Sequence, residues 1–270
     1  MKKELNKAFN WEVEEKQVLV DGYPDRNYKA LVRSDRNEVL SIMSGRYRTF
    51  RNGDLAKLCE DICKYAGFGM AGFDEFRRGK LVIAYLETNR KGVKVNGHNL
   101  QEYLTIGNTH DGSGKIFIGT ANYLFRCENQ FSRIFRVFDT PHTRDLRFDS
   151  EEIRDIVNQF RNGSDELYGK FELMKQIRID QGLIDQLVRE VLETNMIDSS
   201  EVKGGEREEL LRAGIKKETE ALGNNVWGLF NGVTWYTSHD LRNSRGGIGN
   251  VNGVAQLVNE KAFKFCTNIL

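Results

Sequence analysis

A chain of 270 residues with 39% hydrophobic side chains and two prolines is long enough for one large core or a core with a satellite subdomain, and its net charge of +1 predicts nothing about partners. No apolar run approaches the roughly 20 residues of a membrane helix, and the start at Met1-Lys2-Lys3-Glu4-Leu5-Asn6 lacks the apolar segment of a secretion signal, so a cytoplasmic location is expected, with no membrane partner. Cys59, Cys63, Cys127 and Cys266 are too few for a disulfide scaffold and form no Cys-x-x-Cys knuckle, so reduced thiols are expected.

In chain order, Tyr28 to Val32, Val39 to Met43 and Tyr47 to Phe50 read as short strands around the turn Ser34-Asp35-Arg36-Asn37 and the break at Gly45. Arg33, Arg36, Arg46, Arg48 and Arg51 at their ends make this a basic meander. Leu55, Leu58, Ile62 and Ala66 fall at helical spacing, with Asp54 placed as N-cap. Phe68 to Phe76 and Lys80 to Leu86 predict a hairpin turned at Arg77-Arg78-Gly79, and Asn96-Gly97 marks a further turn. Strand-like runs containing Tyr103, Leu104 and Ile106, then Ile116, Phe117 and Ile118, flank the polar turn Asn108-Thr109-His110-Asp111-Gly112-Ser113-Gly114, where Gly112 and Gly114 supply positive φ.

Beyond that hairpin, Phe131, Ile134, Phe135 and Phe138 recur at i, i+3, i+4 and i+7 and predict a basic helix ended by Thr140-Pro141. Ser150 reads as the cap of a helix with Ile153, Ile156, Val157 and Phe160 on its core face. Apolar stripes continue over Phe171 to Ile177 and Leu183 to Leu192; Gly204-Gly205 reads as a hinge before a charged helix, Glu206 to Leu222. Residues 242–253 predict a glycine-rich loop before a last helix from Val254 to Phe265. The expected fold is α+β: an antiparallel sheet of β-hairpins with packed helices, residues 1–138, followed by a mainly helical acidic subdomain, residues 139–270.

Charge is uneven along this order. Residues 26–136 hold 19 Lys and Arg against 11 Asp and Glu, whereas residues 137–270 hold 17 against 22. A basic strand-rich half joined to an acidic helical half suits a nucleic-acid-binding face, though chance clustering of solvated charges produces the same count. Arg33, Arg46, Arg48, Arg126, Arg133 and Arg136 are the candidate phosphate contacts, because planar guanidinium forks pair with phosphate oxygens. Tyr47 and Tyr123 are the candidates to stack on unpaired bases. The competing reading puts the aromatics in the core and the arginines in surface ion pairs.

His110 and Asp111 are the weak catalytic candidates, as an acid-base pair or metal ligands, and the same residues suit a hydrogen-bonded turn in which Asn108 and Asp111 cap their own backbone. Gly112, Ser113 and Gly114 offer backbone N–H groups to a phosphate, but no Gly-Lys-Ser/Thr follows, which argues against a nucleoside triphosphate site. His239 with Asp240, beside Trp235 and Tyr236, forms a second cluster. No histidine pair shows ligand spacing, so neither metal nor cofactor is expected. Cys59 and Cys63, one helical turn apart, read as core.

The string YLTIGNTHDGSG at 103–114, followed by TANYLFRCENQF at 120–131, resembles the signature segment of a family of phage- and plasmid-encoded proteins catalogued as domain of unknown function 932. Tyr28 to Asp35, Tyr47, Asn52, and Trp227 to Tyr236 with His239 fit the same family, so the resemblance spans roughly residues 10 to 240. It departs at Ala121-Asn122-Tyr123, where a proline-containing step is expected, and at Glu128, which separates Cys127 from Asn129. The resemblance implies a mobile-element origin and no reaction.

Three functions follow from these residues. The first is an oligomerising, non-catalytic protein that binds single-stranded nucleic acid in replication or recombination, in the manner of annealing proteins. A metal-assisted hydrolase of nucleic acid or nucleotide, using His110, Asp111 and His239, is the second. The third is a host-interaction or anti-defence factor acting through protein contacts.

Overall fold

The first strand is one that the sequence reading passes over. The computed structural model describes residues 10–90, 94–95, 98–124, 134–142, 148–195, 204–241 and 254–270. Within it β1 (Val13–Val20) turns through Asp21 and Gly22, at φ 51° and 83°, into β2 (Tyr23–Arg33). Two consecutive left-handed residues make the tight loop whose twist matches a hairpin, and Asp-Gly between Val20 and Tyr23 is its sequence signal. The antiparallel strand β3 (Glu38–Ser44) completes a sheet of order β1-β2-β3. Tyr47 to Phe50, expected as a strand, is not one. Its backbone groups are met from elsewhere: Arg48 N–H donates to the His142 carbonyl at 2.9 Å, and Asn108 Nδ2 donates to the Phe50 carbonyl at 2.8 Å.

Helix α1 (Asn52–Ala66) buries Leu55, Leu58, Cys59, Ile62 and Cys63 on one face, as their spacing requires. Its start corrects the expected cap. Asp54 sits in the first turn, not at the cap, and accepts the Arg51 N–H at 2.9 Å; the exposed N–H groups of Asn52 and Gly53 are taken by the Glu12 carboxylate, at 2.8 and 2.9 Å. A carboxylate 40 residues away in sequence thus caps this helix, which local pattern cannot foresee.

The main sheet follows: β4 (Gly69–Phe76), β5 (Leu81–Glu87), the short β6 (Lys94–Val95), β7 (His98–Thr109), β8 (Ile116–Leu124) and β9 (Ile134–Thr140). Its order is β4-β5-β7-β8-β9, with β6 pairing β7. Both predicted hairpins are present, but the helix expected over Phe131 to Phe138 is replaced from Ile134 onward by β9. Ile134, Phe135, Val137 and Phe138 are β-branched or aromatic, and pairing in the sheet outweighs a helical periodicity that a short apolar run satisfies by accident.

By packing, the chain divides into two compact units. One comprises Met1–Lys91, Glu102–Ala121 and Phe135–Gly163; the other comprises Gly92–Gln101, Asn122–Ile134 and Ser164–Leu270. The first unit's core joins Trp11, Leu31, Leu40 and Phe50 to the buried face of α1, to Val82, Ala84, Leu104, Ile106 and Ile118, and to Ile156, Val157 and Phe160.

Helix α2 (Ser150–Gln176) is one long helix where two segments are expected, and Asp149 caps it in place of Ser150, accepting the Glu151 and Glu152 N–H groups at 2.9 Å. It is followed by α3 (Gln181–Asn195), α4 (Gly204–Leu222), α5 (Val226–His239) and α6 (Val254–Thr267). Gly204-Gly205 lies in the first turn of α4 rather than forming a hinge. The second unit's centre is aromatic: the Phe171 ring lies 4.6 Å from Trp227 and 6.3 Å from Phe263, and Phe230 lies 5.7 Å from Phe263. The architecture is the α+β class that the sequence predicts. Among the described residues no helix is long and apolar enough to cross a membrane.

Candidate functional site

The first half of the signature turn, Asn108 to His110, is buried while Gly112 and Ser113 reach the surface, and most of the buried polar atoms are spent on the protein itself. Asn108 and His110 are 0% and 1% exposed, because the turn is folded under the β3 edge and the segment before α1. His110 Nε2 lies 3.0 Å from Asn52 Oδ1, and its Nδ1 lies 3.4 Å from Asn108 Nδ2. Asn52 donates its own amide to the Trp11 carbonyl at 3.2 Å, so its Oδ1 must accept. The imidazole proton therefore sits on Nε2, while Nδ1 accepts from Asn108. The backbone is anchored as firmly: His110 N–H donates to Lys80 O at 2.7 Å, and Ser41 Oγ donates to His110 O at 2.6 Å.

A second proton on this ring would point an N–H at the N–H of Asn108. Burial, above all, and the neighbouring His142 push the His110 pKa down to about 3, and Asp111 opposes this only in part. The ring is neutral throughout the physiological range. His142 is also held below its ordinary value by burial; its Nδ1 donates to Arg48 O at 3.2 Å, which leaves Nε2 a buried acceptor without a donor. Asp111 behaves as a turn residue, its Oδ1 accepting the Ser113 N–H at 3.0 Å. Asn108 does not cap its own backbone, reaching the Phe50 carbonyl instead. Gly112 (φ 70°) passes under Met43, where a side chain would meet the Met43 methyl at 2.8 Å.

Beside the turn stands an ion-pair network built on a buried arginine whose acidic partners reach the surface. The Arg33 guanidinium donates to both Asp35 oxygens at 2.6 and 3.0 Å, to Glu75 Oε1 at 2.9 Å and to the Arg78 carbonyl at 3.2 Å. It also lies 4.1 Å above the Trp11 ring, whose Nε1 donates to Glu75 Oε2 at 2.7 Å. Asp35 is held below the usual carboxylate range by its bonds from Arg33. Gly79 (φ 93°) is required here, since a Cβ would lie 2.8 Å from both Trp11 and Arg33.

These positions sort the sequence candidates. Arg33 is 2% exposed and neutralised, which corrects its assignment as a phosphate contact. Tyr47 is half-buried, stacks on His142 at 4.8 Å and donates to the Thr109 carbonyl at 3.3 Å, so it presents no free ring; burial, then Asp111, pushes its hydroxyl pKa up. Arg46 and Arg48 are exposed. Tyr123 lies on β8 and Arg136 on β9, while Arg126, Arg133 and the loop 242–253 lie outside the described residues, as does the Asn96-Gly97 turn. His110 and Asp111 belong to the first unit and His239 to the second, where it stacks on Trp235 at 4.7 Å and shares Nδ1 with the Trp235 carbonyl at 3.0 Å. Among the described residues no group of three His, Cys, Asp or Glu is placed to hold a metal ion. Cys59 and Cys63 are buried thiols of the core, with burial raising both pKa values.

What sequence reasoning missed is the outer face of β1-β2-β3. Register puts Ala30 opposite Ile42 and Tyr28 opposite Ser44. Tyr28 is 51% exposed and Ile42 60%, with Val39 exposed nearby. At the same end Gly45 N–H bonds the Asn27 carbonyl at 2.7 Å, bringing exposed Arg26 and Arg46 to adjacent positions. Neither arginine has an ion-pair partner among the described residues.

A model of the family described as domain of unknown function 932 matches residues 39–259. The chain belongs to that family. Neither a curated protein nor a solved structure matches it.

Proposed function

We propose that this protein binds single-stranded nucleic acid without catalysis, serving replication or recombination of a phage or plasmid, and that the outer face of β1-β2-β3 is its contact surface. The observation that supports this reading is the exposed ring of Tyr28 on a face that also exposes Ile42, with Arg26 and Arg46 exposed at its end and without an ion-pair partner among the described residues. An exposed aromatic between phosphate-binding cations suits unpaired bases, which stack without sequence preference. The hydrolase reading has less support, because both nitrogens of His110 are engaged and its ring carries no exchangeable role at neutral pH.

Fluorescence anisotropy with labelled single-stranded and duplex oligonucleotides across a salt series tests the proposal. Single-strand binding with a steep salt dependence is expected. R26Q/R46Q should flatten the slope of log K against log salt by about 1.4, at about 0.7 per phosphate lost. Y28A should cost about 1–3 kcal/mol with the slope unchanged. Absence of binding at low salt, or equal binding by all three proteins, would reject this face.

A further inference from the structure

The hairpin that carries this face ends in a tip of opposite character. Pairing of β1 with β2 shifts by several residues between Gln17 and Val18, so that Val18 meets Asp25, Leu19 meets Pro24 and Val20 meets Tyr23. Such a bulge re-aims the strands beyond it, and past the half-buried pair Val18 and Asp25 they are exposed. Leu19 is 59% exposed, Val20 57% and Tyr23 77%. Alternation places Leu19 on one side of the tip and Val20 with Tyr23 on the other, so neither side is covered. Apolar side chains gathered in this way, away from any core, mark a contact surface.

The charges around them indicate what kind. Asp21 and Asp25 flank the tip, and no Lys or Arg occurs from Gln17 to Asp25. Neither carboxylate has an ion-pair partner among the described residues, and such groups repel phosphodiesters and anionic lipid, so the tip suits a protein surface that is apolar and basic. That surface is present on the same chain: Tyr28, Val39 and Ile42, with exposed Arg26 and Arg46, which have no ion-pair partner among the described residues. We infer that two copies of this protein associate by seating the acidic, apolar β1–β2 tip of one on the basic, apolar outer face of β1-β2-β3 of the other. Val20 and Tyr23, from one side of the tip, meet Tyr28, Val39 and Ile42, and Asp21 and Asp25 meet Arg26 and Arg46. Every copy carries both halves, so the contact is self-complementary. It does not depend on the nucleic-acid reading, which uses the same face with a different occupant.

Sedimentation of the full chain without nucleic acid, over a concentration series at low and high salt, tests the inference. The wild type is expected to associate reversibly and to dissociate with added salt. Asp25 Oδ1 accepts the Asn27 N–H at 2.7 Å, so D21N/D25N preserves this bond and the left-handed turn, and R26Q/R46Q preserves exposed side chains; each should raise the dissociation constant at least tenfold. An equimolar mixture of the two variants restores one native tip-to-face contact, so association should return. V20S/Y23S, which leaves every charge in place, should be as defective as D21N/D25N. A wild type that stays monomeric at high micromolar concentration, variants that associate normally, or a mixture no better than its components would each overturn it. Anisotropy on D21N/D25N separates the two proposals, since its single-strand affinity should be retained whether or not the copies associate.

Discussion

His110 shows how a residue that looks catalytic becomes structural. An imidazole beside a carboxylate in a glycine-rich turn has the composition of a site, but Asn52 and Asn108 fix one tautomer and burial removes the charged form. Its folded-state pKa, about 3, lies below the ordinary 6.5, so the unfolded chain binds the extra proton first. The stabilisation is therefore complete above about pH 6.5 and is lost as pH falls toward 3, at up to about 1.4 kcal/mol per pH unit for one proton. Denaturant titrations between pH 7 and 4 should show this slope in the wild type. H110Q keeps a donor for Asn52 and an acceptor for Asn108; it should cost about 1–2 kcal/mol at neutral pH and show a shallower acid slope. A variant with the wild-type slope would place the proton uptake elsewhere, with His142, whose pKa is also lowered, the next candidate. The residue types of this turn were legible in the sequence; the neutral state was not, because Asn52 and Trp11 come from distant segments.

Glycines illustrate the same division at the scale of elements. Gly107 in β7 faces the Phe117 ring, which occupies the space of a side chain, and Gly232 in α5 lies directly against the Ile215 backbone of α4. Gly214 of α4 returns the contact, since a Cβ there would sit 2.9 Å from the Gly232 carbonyl. Gly169 in α2 has nothing within 4 Å. One substitution should thus have opposite signs. G169A should stabilise by about 0.5–1 kcal/mol through helix propensity, whereas G107A and G232A should each destabilise by about 1–3 kcal/mol or more, as overpacking does. Thermal midpoints of the three variants decide it; a stabilising G232A would mean that α4 and α5 separate at little cost. Long periodic elements such as α1, α3 and α6 were readable, as were the hairpins on either side of Arg77-Gly79 and of the signature turn. Strand β9 was misread because four apolar residues within five, Ile134, Phe135, Val137 and Phe138, satisfy two periods, and β1 was missed because Val13 to Val20 carries four polar residues beside its Asp-Gly turn.

At the scale of the whole molecule, the two proposals make a joint prediction. If nucleic acid and a second copy share the outer face of β1-β2-β3, a short single-stranded oligonucleotide should displace the copy. Sedimentation with rising oligonucleotide should show associated protein giving way to a one-to-one protein–oligonucleotide species; growth of larger protein assemblies would mean that the two ligands use different surfaces. The sequence by itself determined the class of the fold, the positions of most hairpins and helices, the basic character of residues 26–136 and the family, since these depend on local periodicity, turn chemistry and contiguous motifs. Tertiary structure alone decided that Arg33 is consumed by Asp35 and Glu75, that Glu12 caps α1, that His110 is neutral and enclosed, and that Tyr28 and Ile42 are exposed on β2 and β3 with Arg26 and Arg46 exposed at one end of those strands. Each of those outcomes depends on which distant groups meet across strands and on how much water they lose when they do, and neither quantity is a property of a short stretch of chain.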